Sequence, residues 1–144
     1  MTPIERTNPL PLLGAHFSIA KGLDRAPAAA VSYGCNTFQM FTKNAATWKE
    51  KALTEEAIER FQRATAEAGI SAVADHTAYL INLAAAEEEK RIRSMQALRH
   101  ELIRCTRLAI PYVVLHPGAH MGRGEAAGIA AVAAAVNRVF DQVP

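Results

Sequence analysis

The sequence predicts an α/β fold made of four strand–helix units around one parallel sheet. Three observations carry this prediction: four short apolar runs of strand length, four segments with apolar residues at steps of three and four, and strict alternation of the two along 144 residues. With 50% of its residues hydrophobic, the chain has enough apolar material for a sizeable core in one domain.

Residues 1–11, with Glu5, Arg6 and three prolines, read as a polar extension expected to be poorly ordered, and residues 12–144 as the folded unit. The first strand is expected at Leu12 to Phe17 and the first helix at Asp24 to Tyr33. The second strand follows at Thr37 to Phe41. The second helix places Ile58, Phe61, Ala64 or Thr65, and Ala68 on one face. Thr54 can cap its first N–H groups, Glu55 and Glu56 suit the positive end of its dipole, Leu53 and Ile58 fit a hydrophobic staple, and Gly69 can take the left-handed terminal conformation. Ala72 to His76 is the third strand. The third helix, Glu87 to Ala109, repeats Ile92, Met95, Leu98, Leu102, Cys105 and Leu108 in helical phase, and Arg104 and Arg107 suit its negative end. Tyr112 to His116 is the fourth strand, and Glu125 to Phe140, with Ile129, Val132, Val136 and Val139 in phase, is the fourth helix.

Strands separated by helices of this length run parallel through right-handed crossovers. A doubly wound sheet would carry a glycine-rich phosphate loop after its first strand, but that turn reads His16-Phe17-Ser18-Ile19-Ala20-Lys21-Gly22. A β/α barrel fits better, and in a barrel the chemistry collects at the C-terminal ends of the strands.

Composition excludes several function classes. The formal charge of +2 is too even a balance to argue for a nucleic-acid or membrane partner by itself. The uncharged run Ala126 to Val136 is well short of the ~20 residues that span a bilayer. Cys35 and Cys105 are too far apart for a C-x-x-C pair and read as free thiols, so a cytoplasmic location is expected.

His76 and His116 end the third and fourth strands. On neighbouring parallel strands their backbones would lie about 5 Å apart, close enough for two imidazoles to share one ion. Zinc accepts histidine nitrogen, and a catalytic zinc needs three protein ligands plus an open position. One such histidine alone would more simply bond its ring to a backbone carbonyl; two at equivalent strand ends favour the metal. Asp75 alternates to the opposite face from His76 and takes a structural role. His16 could line the same mouth, and His100 is expected in solvent.

The stretch from His76 through Tyr79, Ile81, Asn82 and Leu83 to Ala84 resembles a signature of the endonuclease IV family of abasic-site nucleases. Further matches come in order: Gly14-Ala15-His16 with Ser18 and Gly22, then Phe41-Thr42-Lys43-Asn44 with Trp48, then Leu115-His116-Pro117-Gly118 with His120. The resemblance implies the N-terminal half, (βα)4, of a TIM-type barrel whose complete site holds three zinc ions and cleaves DNA 5′ to abasic sites. His76 and His116 match two ligands of one zinc, so this chain holds at most part of one site. The resemblance also puts Lys43, Asn44, Trp48, Tyr79 and Asn82 on a DNA-facing rim, with Lys49 and Lys51 beside it. From the loop alone, Trp48 would read as a lid on the barrel edge. Family members commonly carry an arginine before that tryptophan, where Ala45, Ala46 and Thr47 stand here.

Four strands cannot close an eight-stranded barrel, so a C-terminal half or a second half-barrel is the expected partner besides abasic DNA. The chain is read as a piece of a longer enzyme, inactive alone. Two alternatives are a metal-dependent sugar isomerase or epimerase, and a non-catalytic half-barrel that dimerises.

Overall fold

The computed structural model describes residues 11–70 and 72–143. The expected N-terminal extension lies outside them apart from Pro11, whose carbonyl accepts a hydrogen bond from Asn36 Nδ2 at 3.1 Å. The elements run β1 (His16–Phe17), α1 (Arg25–Ser32), β2 (Phe38–Met40), α2 (Glu55–Glu67), β3 (Val73–His76), α3 (Glu88–Leu108), β4 (Tyr112–Val114) and α4 (Glu125–Phe140). The strands form one parallel sheet in the order β1-β2-β3-β4. This is half of a β/α barrel, as the alternation predicts.

The strands are shorter than the apolar runs, most of all β1. Upstream of His16 the pairing continues irregularly: Leu13 N–H donates to the Asn36 side-chain oxygen at 2.7 Å, while Asn36 N–H donates to the Leu13 carbonyl at 3.0 Å. A side-chain amide thus takes over part of a ladder, and Leu12 and Leu13 are exposed.

The ends of α2 follow the residues that predict them. Thr54 Oγ1 accepts from Ala57 N–H at 3.2 Å, and Gly69 takes φ +66° beyond the last turn. Ile58 and Phe61 are buried under Phe38, Met40, Val73 and Leu108, forming the core between sheet and helices. A second cluster beside the upper end of the sheet joins Ile81, Leu83 and Leu98 to Val139 of α4.

Two phase expectations fail. Ile92 in α3 is exposed, because the buried stripe of that helix includes Ser94, Ala97 and Glu101. Ile129 in α4 is 70% exposed. Among the described residues α4 packs on α3 and buries Gly128, Ala135 and Val139, while Ile129 lies off that face.

Alternation along the strands decides what faces the helices. Phe38, Met40, Val73 and Asp75 are buried on the helical side. Gln39, Ala74, Tyr112 and Val114 face the other way, with Tyr112 and Val114 exposed. That second face is the one a closed barrel turns inward, and His16, His76 and His116 rise from its C-terminal edge.

Candidate metal centre

The pairing of β3 with β4 brings His76 beside His116, with ring centroids 4.9 Å apart. His76 Nδ1 lies 2.8 Å from the Thr77 carbonyl oxygen. A carbonyl only accepts, so Nδ1 carries the proton and the Nε2 lone pair is left free. That is the arrangement in which a metal-ligating histidine is oriented by a backbone acceptor.

Aromatic rings surround the pair. Phe41 approaches His76 at 5.5 Å and Tyr79 at 5.4 Å, and Tyr79 lies 6.3 Å from His116. Tyr79 is 64% exposed, so its ring stands at the lip of the mouth. His16 joins from β1, 6.5 Å from His76 and 4.5 Å from Phe41. Gln39 Nε2 donates to His16 Nδ1 at 2.9 Å, which puts the proton of the neutral ring on Nε2. Partial burial and the neighbouring His76 both lower the pKa of His16, so the ring favours that neutral form.

The donor set fits zinc as far as it goes. Two imidazoles from adjacent strands, one anchored at Nδ1, are ligands zinc takes at about 2.0–2.1 Å. Among the described residues no group of three His, Cys, Asp or Glu converges. Asp75 faces the helices, fully buried, with Oδ1 accepting from Thr42 N–H at 3.0 Å. Burial and the charge of Glu101 push its carboxyl up to about 8, so it is held in the neutral form.

The rim residues divide. Asn44 is exposed, its Oδ1 accepting from Ala46 N–H at 2.9 Å in a tight turn. Trp48 is half-buried against the second cluster, with Arg93 lying 4.7 Å over its ring. Lys43, expected on the DNA-facing rim, has a side chain 5% exposed, and its ammonium turns inward to Glu50 and Glu101. A buried ammonium needs paired carboxylates, and α3 supplies one. Asn82 is likewise engaged with backbone: Oδ1 accepts from Ala84 N–H at 3.0 Å and Ala119 N–H at 3.1 Å, and Nδ2 donates to Ala119 O at 3.2 Å. His120 accepts the Gly124 N–H on Nδ1 at 3.1 Å, at the start of α4. His100 is exposed, 3.6 Å from Glu50.

The sequence reading missed Arg93, Glu101 and the ring contact of Phe41. An arginine on a helix flank gives no local sign of a loop tryptophan above it. Glu101 did leave a trace, lying three residues after the buried Leu98 within the apolar stripe.

Comparison with known proteins agrees with this geometry. Residues 27–143 match the xylose isomerase-like TIM barrel family. A protein of Geobacter sulfurreducens named probable endonuclease 4 is 46% identical over 132 residues, which cover 92% of this chain and 45% of that protein. The crystal structure of endonuclease IV from Thermus thermophilus superposes with a TM-score of 0.76 at 31% identity, covering 90% of this chain and 48% of that one. A 3-keto-D-glucoside 4-epimerase from E. coli superposes with a TM-score of 0.63 at 14% identity, a likeness of fold alone. The chain spans about half the length of the curated relatives it matches, and the resemblance read from its four motifs is borne out.

Proposed function

The chain belongs to the xylose isomerase-like TIM barrel family, and from that premise we propose that it is the N-terminal half of a zinc-dependent endonuclease that hydrolyses the phosphodiester 5′ to abasic sites in DNA. The observation that carries this reading is the His76–His116 pair, 4.9 Å between ring centroids, set within the His76 to Ala84 and Leu115 to His120 motifs of a chain 46% identical to a probable endonuclease 4.

His76 and His116 would hold one zinc through ring nitrogens, His76 through the Nε2 that its bond to Thr77 O leaves free. Zinc in such a site lowers the pKa of bound water and neutralises phosphate oxygens. The chain's own residues orient and exclude. Phe41 packs against the rings of His16 and His76 and walls that side of the mouth. Tyr79 offers an exposed ring at the lip, where a base or sugar can stack. By the family resemblance Asn44, which is exposed, and Trp48, which is half-buried, would extend that rim. Two histidines are part of a zinc site and three ligands are the catalytic minimum, so the chain alone is expected to be inactive. Base excision repair in the cytoplasm is consistent with free Cys35 and Cys105. No described helix is long and apolar enough to cross a membrane.

A fusion of this chain to the part of the Geobacter protein it does not match tests the reading. With zinc, the fusion is expected to nick a duplex carrying one tetrahydrofuran abasic site on its 5′ side, and His116→Ala to cut that rate more than about tenfold. An unchanged rate in His116→Ala rejects the ligand assignment. A folded fusion that epimerises ketoses and leaves the duplex intact rejects the nuclease.

A further inference from the structure

We infer that Glu101, on the helix behind the sheet, is the positioning residue of the rim segment 44–49. The segment leaves the sheet after Phe41 and returns before α2, and both of its stems end on α3. At the first stem, Thr42 Oγ1 donates to Glu101 Oε1 at 2.5 Å, and Lys43 Nζ lies 3.1 Å from Glu101 Oε2. Arg104, one turn further along α3, donates through Nη2 to Thr42 O at 2.5 Å. At the second stem, Glu50 reaches the same Lys43 ammonium, and Arg104 Nη1 donates to Lys51 O at 3.2 Å. One network, buried at the first stem and partly open to solvent at the second, therefore bolts both ends of the segment to one helix.

The geometry singles out Glu101 within that network. Its side chain is 1% exposed, and its two oxygens reach Thr42 and Lys43 separately. Lys43 in turn is shared with Glu50, so the carboxylate holds the first stem directly and the second through one ammonium. Between the stems, Asn44 and Ala46 are exposed and Trp48 rests half-buried under Arg93. Phe41, the residue before Thr42, touches the rings of His16, His76 and Tyr79. A shift of the Thr42 anchor would thus move the rim together with the ring that packs on His76 and Tyr79. It explains why the first cation of the loop serves the fold: Lys43 is the bolt, and contact with DNA is left to Asn44 and Trp48. The contact with DNA rests on the proposed function; the positioning itself does not.

The test uses the full chain, in which Trp48 is the only tryptophan. Four variants are compared with wild type: Glu101→Gln, Glu50→Gln, Lys43→Met, and the double variant Glu101→Leu with Lys43→Met. The readouts are acrylamide quenching of Trp48, the rate of first tryptic cleavage at Lys49 or Lys51, the thermal midpoint, and affinity for an abasic-site duplex. Glu101→Gln is expected to raise the quenching constant about twofold and the cleavage rate about tenfold. Glu50→Gln, on the more exposed partner, gives a smaller change in the same direction. The double variant is expected to recover the thermal midpoint, since an apolar pair can replace a buried ion pair, while Trp48 stays accessible. Unchanged quenching and cleavage in folded Glu101→Gln overturn the assignment, as does a double variant that restores both midpoint and protection. If Glu101→Gln does not fold, Lys43→Met and Glu50→Gln decide by the same readouts. Loss of loop protection with unchanged duplex affinity overturns the link to DNA and leaves the positioning role standing.

Discussion

Asn82 Oδ1 occupies the space that a side chain at Gly118 would need: a Cβ there would stand well inside van der Waals contact with it. Gly118 has φ +109°, and the same Asn82 amide bonds Ala84 N–H and both polar backbone atoms of Ala119. The loop after β3 and the loop after β4 are therefore pinned to each other directly beside His76 and His116. Gly118→Ala adds backbone strain to a clash and is expected to cost about 2–3 kcal/mol in chemical denaturation. Asn82→Ala strips partners from three backbone groups and is expected to cost about 1–2 kcal/mol. Wild-type stability in either variant would show that the loops are not held this way.

Asp75 makes the stability of the chain pH-dependent. Its folded pKa, raised to about 8, lies above the ordinary aspartate value of 3.8. A carboxyl raised in the fold contributes stability that is fully present below pH 3.8 and is lost as pH rises through about 8. Asp75→Asn keeps an oxygen for Thr42 N–H and removes the ionisation. Thermal midpoints at pH 5, 7 and 9 should fall more steeply for wild type than for the variant. Parallel curves would contradict the burial of a neutral carboxyl.

Arg93 and Trp48 form a cation–π pair at the outer edge of the rim. Arg93→Ala is expected to move the Trp48 emission maximum to longer wavelength at a cost of only about 0.5–1 kcal/mol. An unchanged emission spectrum would mean that the guanidinium does not cover the ring in solution.

Much of the fold is legible because it rests on local rules. The Thr54 cap and the left-handed Gly69 mark the ends of α2, and alternation along Ala72 to His76 alone puts Asp75 behind the sheet and His76 in front. The histidine pair follows from parallel neighbours in register. What escapes local reading depends on long-range partners. Lys43 looks like a free rim cation until Glu101, 58 positions away in sequence, is folded against it. Ile129 keeps perfect helical phase and is still exposed, because phase says which face is apolar and not whether another element covers it. Asn82 belongs to a motif associated with DNA contact, and its amide is spent on the loop beside it.

Joint binding of one zinc ion by His76 and His116 is the point on which the proposed function turns. Long-range 1H–15N spectra of the imidazoles, recorded on the chain with and without zinc, test it most directly. Without zinc, His76 should carry its proton on Nδ1 and present a bare Nε2. With zinc, a ring nitrogen of His116 and Nε2 of His76 should shift in concert at one equivalent, with His100 unmoved. Shifts confined to His100 or His120, or a His76 ring protonated on Nε2, would contradict the metal site and the function built on it.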